Sequence, residues 1–256
     1  MPSVQNVVSG NSSSAELPVG LTYDILYAKL TNITLAQLTN IEIRVNGKAV
    51  QSFATATELD DINEYHGRRV FTNGVLPIYF IRPELVLPSE QRITALGTKD
   101  VTTLSFHADI DAACSSPALV LYAQQSASTL MGVITKIRRF PRASATSGEF
   151  EISNIPKLGR IACVHFFKSD VSEILAKVDG RETIDATKTI LEESQRGWGK
   201  TPITAGCTHA DYILNGMLQD SLITAGVQDL SFRPTLDTSG ALEVVVEYIA
   251  GYSEEG

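Results

Sequence analysis

The sequence predicts an all-β protein built as two tandem eight-stranded jelly rolls with a few short helices. Three observations carry that reading. Leu104-Ser-Phe-His-Ala-Asp-Ile-Asp111 and Leu230-Ser-Phe-Arg-Pro-Thr-Leu-Asp237 repeat one pattern 126 positions apart (111 to 237). Ile41-Glu-Ile-Arg-Val-Asn-Gly-Lys48 is answered by Ile174-Leu-Ala-Lys-Val-Asp-Gly-Arg181, each an apolar strand running into an Asn-Gly or Asp-Gly pair of the kind that closes a hairpin. Short β-rich runs bounded by turn residues recur along the whole chain, without the long helical patterns of alternating βαβ units. A solenoid stacks at least three small repeats to bury its core, so two long copies read as two domains of one fold.

In chain order, the first half offers strands at Tyr23–Leu30, Ile41–Val45, Ala49–Phe53, Val75–Ile81, Val101–Ile110, Ala118–Ala123 and Met131–Ile137. The second offers Phe150–Ile152, Ile161–Phe167, Ile174–Val178, Tyr212–Leu214, Gln228–Leu236 and Leu242–Ile249. Helices are scarce and also placed twice. Thr57–Tyr65 sets Leu59, Ile62 and Tyr65 on one face behind a Thr cap, and Thr187–Ser194 does the same with Ile190 and Leu191. Each follows its hairpin, and a short insert precedes each hairpin, at Thr34–Leu38 and Asp170–Ile174. Two Greek keys folded into an eight-stranded sandwich fit this count and size. Strand order is not readable from spacing. The small polar run Ala143-Ser-Ala-Thr-Ser-Gly148 reads as the linker, which sets the domains at 1–142 and 143–256.

Length and composition bound the function. The 256 residues, 43% hydrophobic and 20% charged, are enough for each half to bury a core of its own. A net charge of −8 argues against general affinity for nucleic acid backbones or anionic membrane faces. Met1–Gly20 is polar and Ser-rich, so no signal peptide is expected and synthesis in a cytosol is. Three widely spaced cysteines, Cys114, Cys163 and Cys207, argue for buried thiols rather than a disulfide framework.

Several constellations could carry chemistry. Lys136, Arg138, Arg139 and Arg142 form the densest basic run, suited to a phosphate or, more plainly, to acidic neighbours. Gly197-Trp-Gly199-Lys200-Thr201 has the tail of a phosphate-binding loop, but Ser194 stands where its first glycine belongs, and a turn after a helix is the simpler account. Cys163-Val-His165 and Cys207-Thr-His209 are two Cys-x-His pairs. On strands, residues two apart share a face, so together Cys163, His165, Cys207 and His209 offer four ligands to zinc, or four ordinary interior side chains. Asp109 and Asp111, near Asp100, offer oxygens to calcium, although strand-ending turns use Asp as well. The sequence has no Gly-x-Ser-x-Gly elbow, no His-Glu-x-x-His and no His-x-His, so an enzyme is not expected.

Gly10-Asn-Ser with Leu17-Pro-Val-Gly20, Gly74-Val75 leading to Phe80-Ile-Arg-Pro-Glu84, Gln91-Arg92 with Ala95-Leu-Gly-Thr98, Asp109-Ile-Asp111, Gly159-Arg-Ile-Ala162, Gln219-Asp220 and Val246-Glu-Tyr248 together carry a resemblance. The chain resembles the major capsid proteins of corticoviruses, tailless icosahedral bacteriophages with an internal membrane, within the double jelly-roll capsid lineage. The resemblance spans almost the whole chain and is weakest between Ile184 and Ala225. It implies a homotrimer whose six lobes tile a hexagonal lattice. It further implies neighbouring capsomers, other capsid and membrane-associated virion proteins and the internal membrane surface as partners, with no specific nucleic acid. Location in the virion shell is implied too, and structural calcium with no ligand assigned to a position. The competing expectation from another class is a glycan-binding or glycan-hydrolysing pair of jelly rolls. Such sites want stacking aromatics and paired carboxylates, and this chain has one tryptophan, Trp198, and 7% aromatics.

Overall fold

The computed structural model of the chain describes residues 1–254. Its residues divide into two compact units between Arg138 and Arg139. The first unit holds β1 (Ser12–Leu17), β2 (Thr22–Thr31), β3 (Leu38–Val45), β4 (Lys48–Thr55), helix α1 (Ala56–Tyr65), β5 (Val75–Tyr79), the short helix α2 (Pro88–Gln91), β6 (Leu96–Gly97), β7 (Leu104–Ile110) and β8 (Ala118–Ser126). Strand β9 (Val133–Ser144) connects the units. The second unit holds β10 (Gly148–Glu149), β11 (Arg160–Phe167), β12 (Val171–Val178), β13 (Arg181–Thr187), helix α3 (Lys188–Gly197), β14 (Cys207–Asp211), β15 (Leu222–Ile223), β16 (Leu230–Leu236) and β17 (Gly240–Gly251). Among the described residues no helix is long and apolar enough to cross a membrane.

Pairing in the two units corresponds strand for strand. In the first, one sheet runs β1-β7-β3-β4, and in the other β2 pairs with β5, β6 and β8. In the second, β10-β16-β12-β13 form one sheet, and β11 pairs with β14, β15 and β17. Eight strands per unit in two sheets is the jelly-roll arrangement.

The repeated segments are this shared frame. The Leu-Ser-Phe strands are β7 and β16, and both alternate burial in the same way, with Phe106 and Phe232 fully buried. The hairpin turns place Asn46 and Gly47 at φ 48° and 81°, and Asp179 and Gly180 at φ 48° and 79°. Positive φ at both central residues is the primed-turn geometry that matches strand twist, and Asn, Asp and Gly adopt it at low cost. Each hairpin carries a register shift at the equivalent step, Ile43/Arg44 in one and Ala176/Lys177 in the other. The turn residues also tie to the neighbouring strand alike. Asn46 Oδ1 accepts from the backbone N–H groups of Thr102 and Thr103 at 2.9 and 3.0 Å, and Asp179 Oδ1 accepts from those of Gln228 and Asp229 at 2.8 Å each.

Each unit buries its own apolar centre. Leu26, Ala28, Ile41, Ile43, Val45 and Leu104 are at most 0% exposed in the first. Val164, Phe166, Ile174, Phe232, Val244 and Val246 form the core of the second.

Several expectations shift. The basic run expected near the linker lies inside β9, which runs unbroken from Val133 to Ser144 with Ile134 and Ile137 buried. The strand expected at Tyr212–Leu214 lies earlier, at Cys207–Asp211: Asp211 Oδ1 accepts from the Ile213 N–H at 2.8 Å, a turn that ends it. Phe150–Ile152 is not a continuous strand: the Phe150 N–H donates to the Pro234 carbonyl at 2.9 Å, and Ile152 makes an isolated bridge to Phe232. Helix α1 starts behind Thr55, whose side chain accepts from the Glu58 N–H, rather than behind Thr57. The Ser-rich start is ordered as β1, where Ser13 Oγ donates to the Ala108 carbonyl at 2.8 Å.

Candidate functional site

Two buried polar centres stand out, one per unit. In the first unit, Glu84 ends the Phe80-Ile-Arg-Pro-Glu84 segment. Its carboxylate takes a forked pair of hydrogen bonds from Arg68, Nε to Oε2 at 2.9 Å and Nη2 to Oε1 at 2.5 Å, while Arg82 Nε lies 3.0 Å from Oε1. All three side chains are at most 5% exposed. Burial by itself would raise the Glu84 carboxyl, but Arg68 and Arg82, with His66, outweigh it and hold the group well below the usual carboxylate range. Arg68 also stacks over Tyr79, 5.5 Å from the ring centre. Every charged group here answers another, as a buried ion cluster must.

In the second unit, the Cys-x-His candidates converge. Strands β11 and β14 run antiparallel with His165 directly opposite His209, so period-two alternation brings Cys163, His165, Cys207 and His209 onto one face. That face is opposite the one carrying the core residues Val164, Phe166 and Ala210. His165 Nδ1 lies 2.7 Å from His209 Nδ1, Cys163 Sγ lies 3.8 Å from His165 Nδ1, and Cys207 Sγ lies 3.7 Å from His209 Nδ1. Glu247 on β17, a residue the sequence reading did not single out, lies 2.9 Å from His165 Nε2. It stands opposite Cys163 in the β11–β17 pairing, a register that only the folded sheet reveals. All five side chains are at most 1% exposed. Burial pushes the Cys163 thiol well up, and Asp211 and Glu247 push the same way.

The other candidates are held locally. Asp109 accepts from Ser12 Oγ at 2.5 Å and from Asn40 Nδ2 at 2.8 Å, and those bonds hold its carboxyl below the ordinary value. Asp111 Oδ1 accepts from the Ala113 N–H at 2.7 Å in the turn after β7, and Asp100 Oδ1 accepts from the Met131 N–H at 2.8 Å. In the basic run, Arg139 meets Glu243 at 3.2 Å and Arg142 donates to Asn154 Oδ1 at 2.7 Å. The phosphate-loop-like segment ends α3: Gly199 sits at φ 77°, its N–H reaches the Arg196 carbonyl, and the Lys200 N–H reaches that of Gln195. This is the paired-bond glycine cap of a helix C-terminus, and the glycine is there for its backbone freedom.

The comparisons with known proteins agree along the whole chain. Residues 1–126 match the viral coat protein P2 N-terminal domain, and residues 134–252 match the viral coat protein P2 C-terminal domain. The chain is 31% identical to the major capsid protein P2 of Pseudoalteromonas phage PM2, over 99% of this chain and 97% of that protein. The crystal structure of the PM2 protein superposes with a TM-score of 0.94 at 29% identity, covering 100% of this chain and 97% of the other. At the level of fold alone, the STIV MCP is similar with a TM-score of 0.71 and 12% identity, over 98% of this chain and 94% of that one. The PBCV-1 virus capsid is similar with a TM-score of 0.63 and 10% identity, over 98% and 93%. Domain models that match both units and a relative aligned from end to end lead to one conclusion: the chain belongs to the viral coat protein P2 family, and its fold is the double jelly roll.

Proposed function

We propose that this chain is the major capsid protein of an icosahedral virus with an internal membrane, and that it works as a self-assembling structural subunit in the virion. The observation that carries the reading is the end-to-end match to a major capsid protein, in sequence and in structure. The duplication gives it a physical reason. Three chains of two like units present six similar lobes, which suits a six-neighbour lattice while leaving the two copies free to diverge. The surface is in keeping. Val86, Leu130, Ile190 and Trp198 are each at least 60% exposed on the single chain, and assembly would cover such apolar side chains. The buried charges of the first unit already pair with one another, as structural rather than catalytic groups do.

Neighbouring capsomers are the main partners in this account, with the membrane and its associated virion proteins beneath. Electron microscopy of a particle preparation in which this chain is the most abundant protein tests it. Closed icosahedral shells enclosing a membrane are expected, and particles whose shell lacks this chain would contradict the reading.

A further inference from the structure

The buried Cys-x-His face of the second unit has more chemistry than packing requires. One ligating atom from each of His165, Cys207 and His209, on two adjacent strands, lies within 4.8 Å of the others. A tetrahedral zinc ion, about 2.3 Å from sulfur and about 2.0 Å from nitrogen, sets S···N separations of about 3.6 Å. Cys207 Sγ lies 3.7 Å from His209 Nδ1, whereas Cys163, on the far side of His165, stands outside the set.

Glu247 supplies the second half of the pattern. It lies 2.9 Å from His165 Nε2, so Nδ1 is the ring nitrogen of His165 turned toward His209. A carboxylate that orients a histidine so that its other nitrogen faces the metal is the usual outer arrangement of zinc sites. Without an ion, the two Nδ1 atoms at 2.7 Å share a proton in an N–H···N hydrogen bond. An entering ion displaces that proton and parts the rings to about 3.3 Å, the N···N separation of a tetrahedral site.

Charge balance favours the same occupant. A thiol in a dry interior does not ionise unaided, and a divalent cation held by one thiolate and two neutral imidazoles beside the Glu247 carboxylate would leave no net charge on the cluster. The donors are soft and fully buried, which suits a structural rather than a catalytic ion.

We propose that His165, Cys207 and His209 form a structural zinc site that staples β14 to β11. Among the described residues, strand β14 is the outermost strand of its sheet in this unit and pairs with β11. It is short, and its sequence has few residues that favour a strand. A metal bridge across its central pair would hold it in register and through it the end of α3, because Gln195 Nε2 donates to the His209 carbonyl at 2.8 Å. The first unit has no second copy: the corresponding strands β2 and β5 place Tyr27 opposite Pro77. The site is therefore a feature acquired by one half, and it stands or falls independently of the capsid reading.

The test uses the full-length protein expressed in zinc-supplemented medium and gel-filtered. Elemental analysis should find one zinc per chain, and cobalt substitution should give the intense visible bands of tetrahedral thiolate coordination. Cys207→Ser and His209→Ala should lose zinc at least tenfold, while Cys114→Ser, which alters a buried cysteine outside the cluster, should keep it. Zinc well below one per chain in the unaltered protein, after addition of excess zinc and removal of the unbound ion, would overturn the proposal. So would full zinc content in a folded Cys207→Ser, His209→Ala double variant. Because the unaltered protein is decisive by itself, a variant that fails to fold does not shelter the idea.

Discussion

The two units differ less in their frame than in what they bury. Strand pairing, the hairpin with its positive-φ turn, the register shift within it and the side-chain oxygen clamp at Asn46 or Asp179 recur in both. The polar interiors do not: Arg68, Arg82 and Glu84 form an ion cluster in the first unit, and Cys163, His165, Cys207, His209 and Glu247 form a sulfur and imidazole cluster in the second. Backbone hydrogen bonding thus outlasts side-chain identity after duplication. It depends only on turn chemistry and alternation, whereas a buried polar group depends on every partner it touches.

The largest expected effect breaks the comparison on the first unit's side. Glu84→Ala strands two guanidiniums in the interior and should cost about 3–5 kcal/mol of unfolding free energy, read from denaturant midpoints. A loss below about 1 kcal/mol would show that the cluster is not structural. Its pH dependence has a definite sign. The folded carboxyl lies below its unfolded value of 4.5, so the stability it contributes is complete above that pH and is lost as pH falls beneath it.

A smaller effect sharpens the likeness. Asn46→Ala removes an acceptor for two backbone N–H groups and puts alanine at φ 48°, which should cost about 1–2 kcal/mol. Asp179→Ala should destabilise in the same direction. The two sites should part with pH: bonds from the Asp229 and Gln228 N–H groups hold the Asp179 carboxyl below its ordinary value of 3.8, so its contribution fades as pH drops through the acid range while that of Asn46 does not. Equal pH profiles for Asn46→Ala and Asp179→Ala would contradict the clamp account.

The smallest effect on stability belongs to the helix ends. His66 closes α1 and is buried, whereas Trp198 closes α3 and is 60% exposed. Trp198→Ala should change unfolding free energy by no more than about 0.5 kcal/mol yet weaken assembly, as loss of an aromatic anchor does. Scattering from assembled material checks the second part.

Much of this frame was readable before any coordinates. Repeated Leu-Ser-Phe strands and Asn-Gly and Asp-Gly turns are local signals, and they fell where they were expected. Strand β1 is not legible and β14 is legible only a few residues late, because Ser12-Ser-Ser-Ala-Glu-Leu17 and Cys207-Thr-His-Ala-Asp211 have little strand propensity of their own. Both are held by a partner far along the chain, β7 and β11. The Cys-x-His spacing showed that each pair shares a face. That His165 and His209 meet, and that Glu247 stands behind them, are facts of cross-strand register, which no local pattern contains.

The central claim, that a duplicated unit serves a shell by giving six lobes from three chains, is tested most directly by the mass of the purified protein in solution. Light scattering on the size-exclusion peak, with calcium present, should return about three times the 27.7 kDa chain mass. A single species at 27.7 kDa that persists at high protein concentration would contradict it.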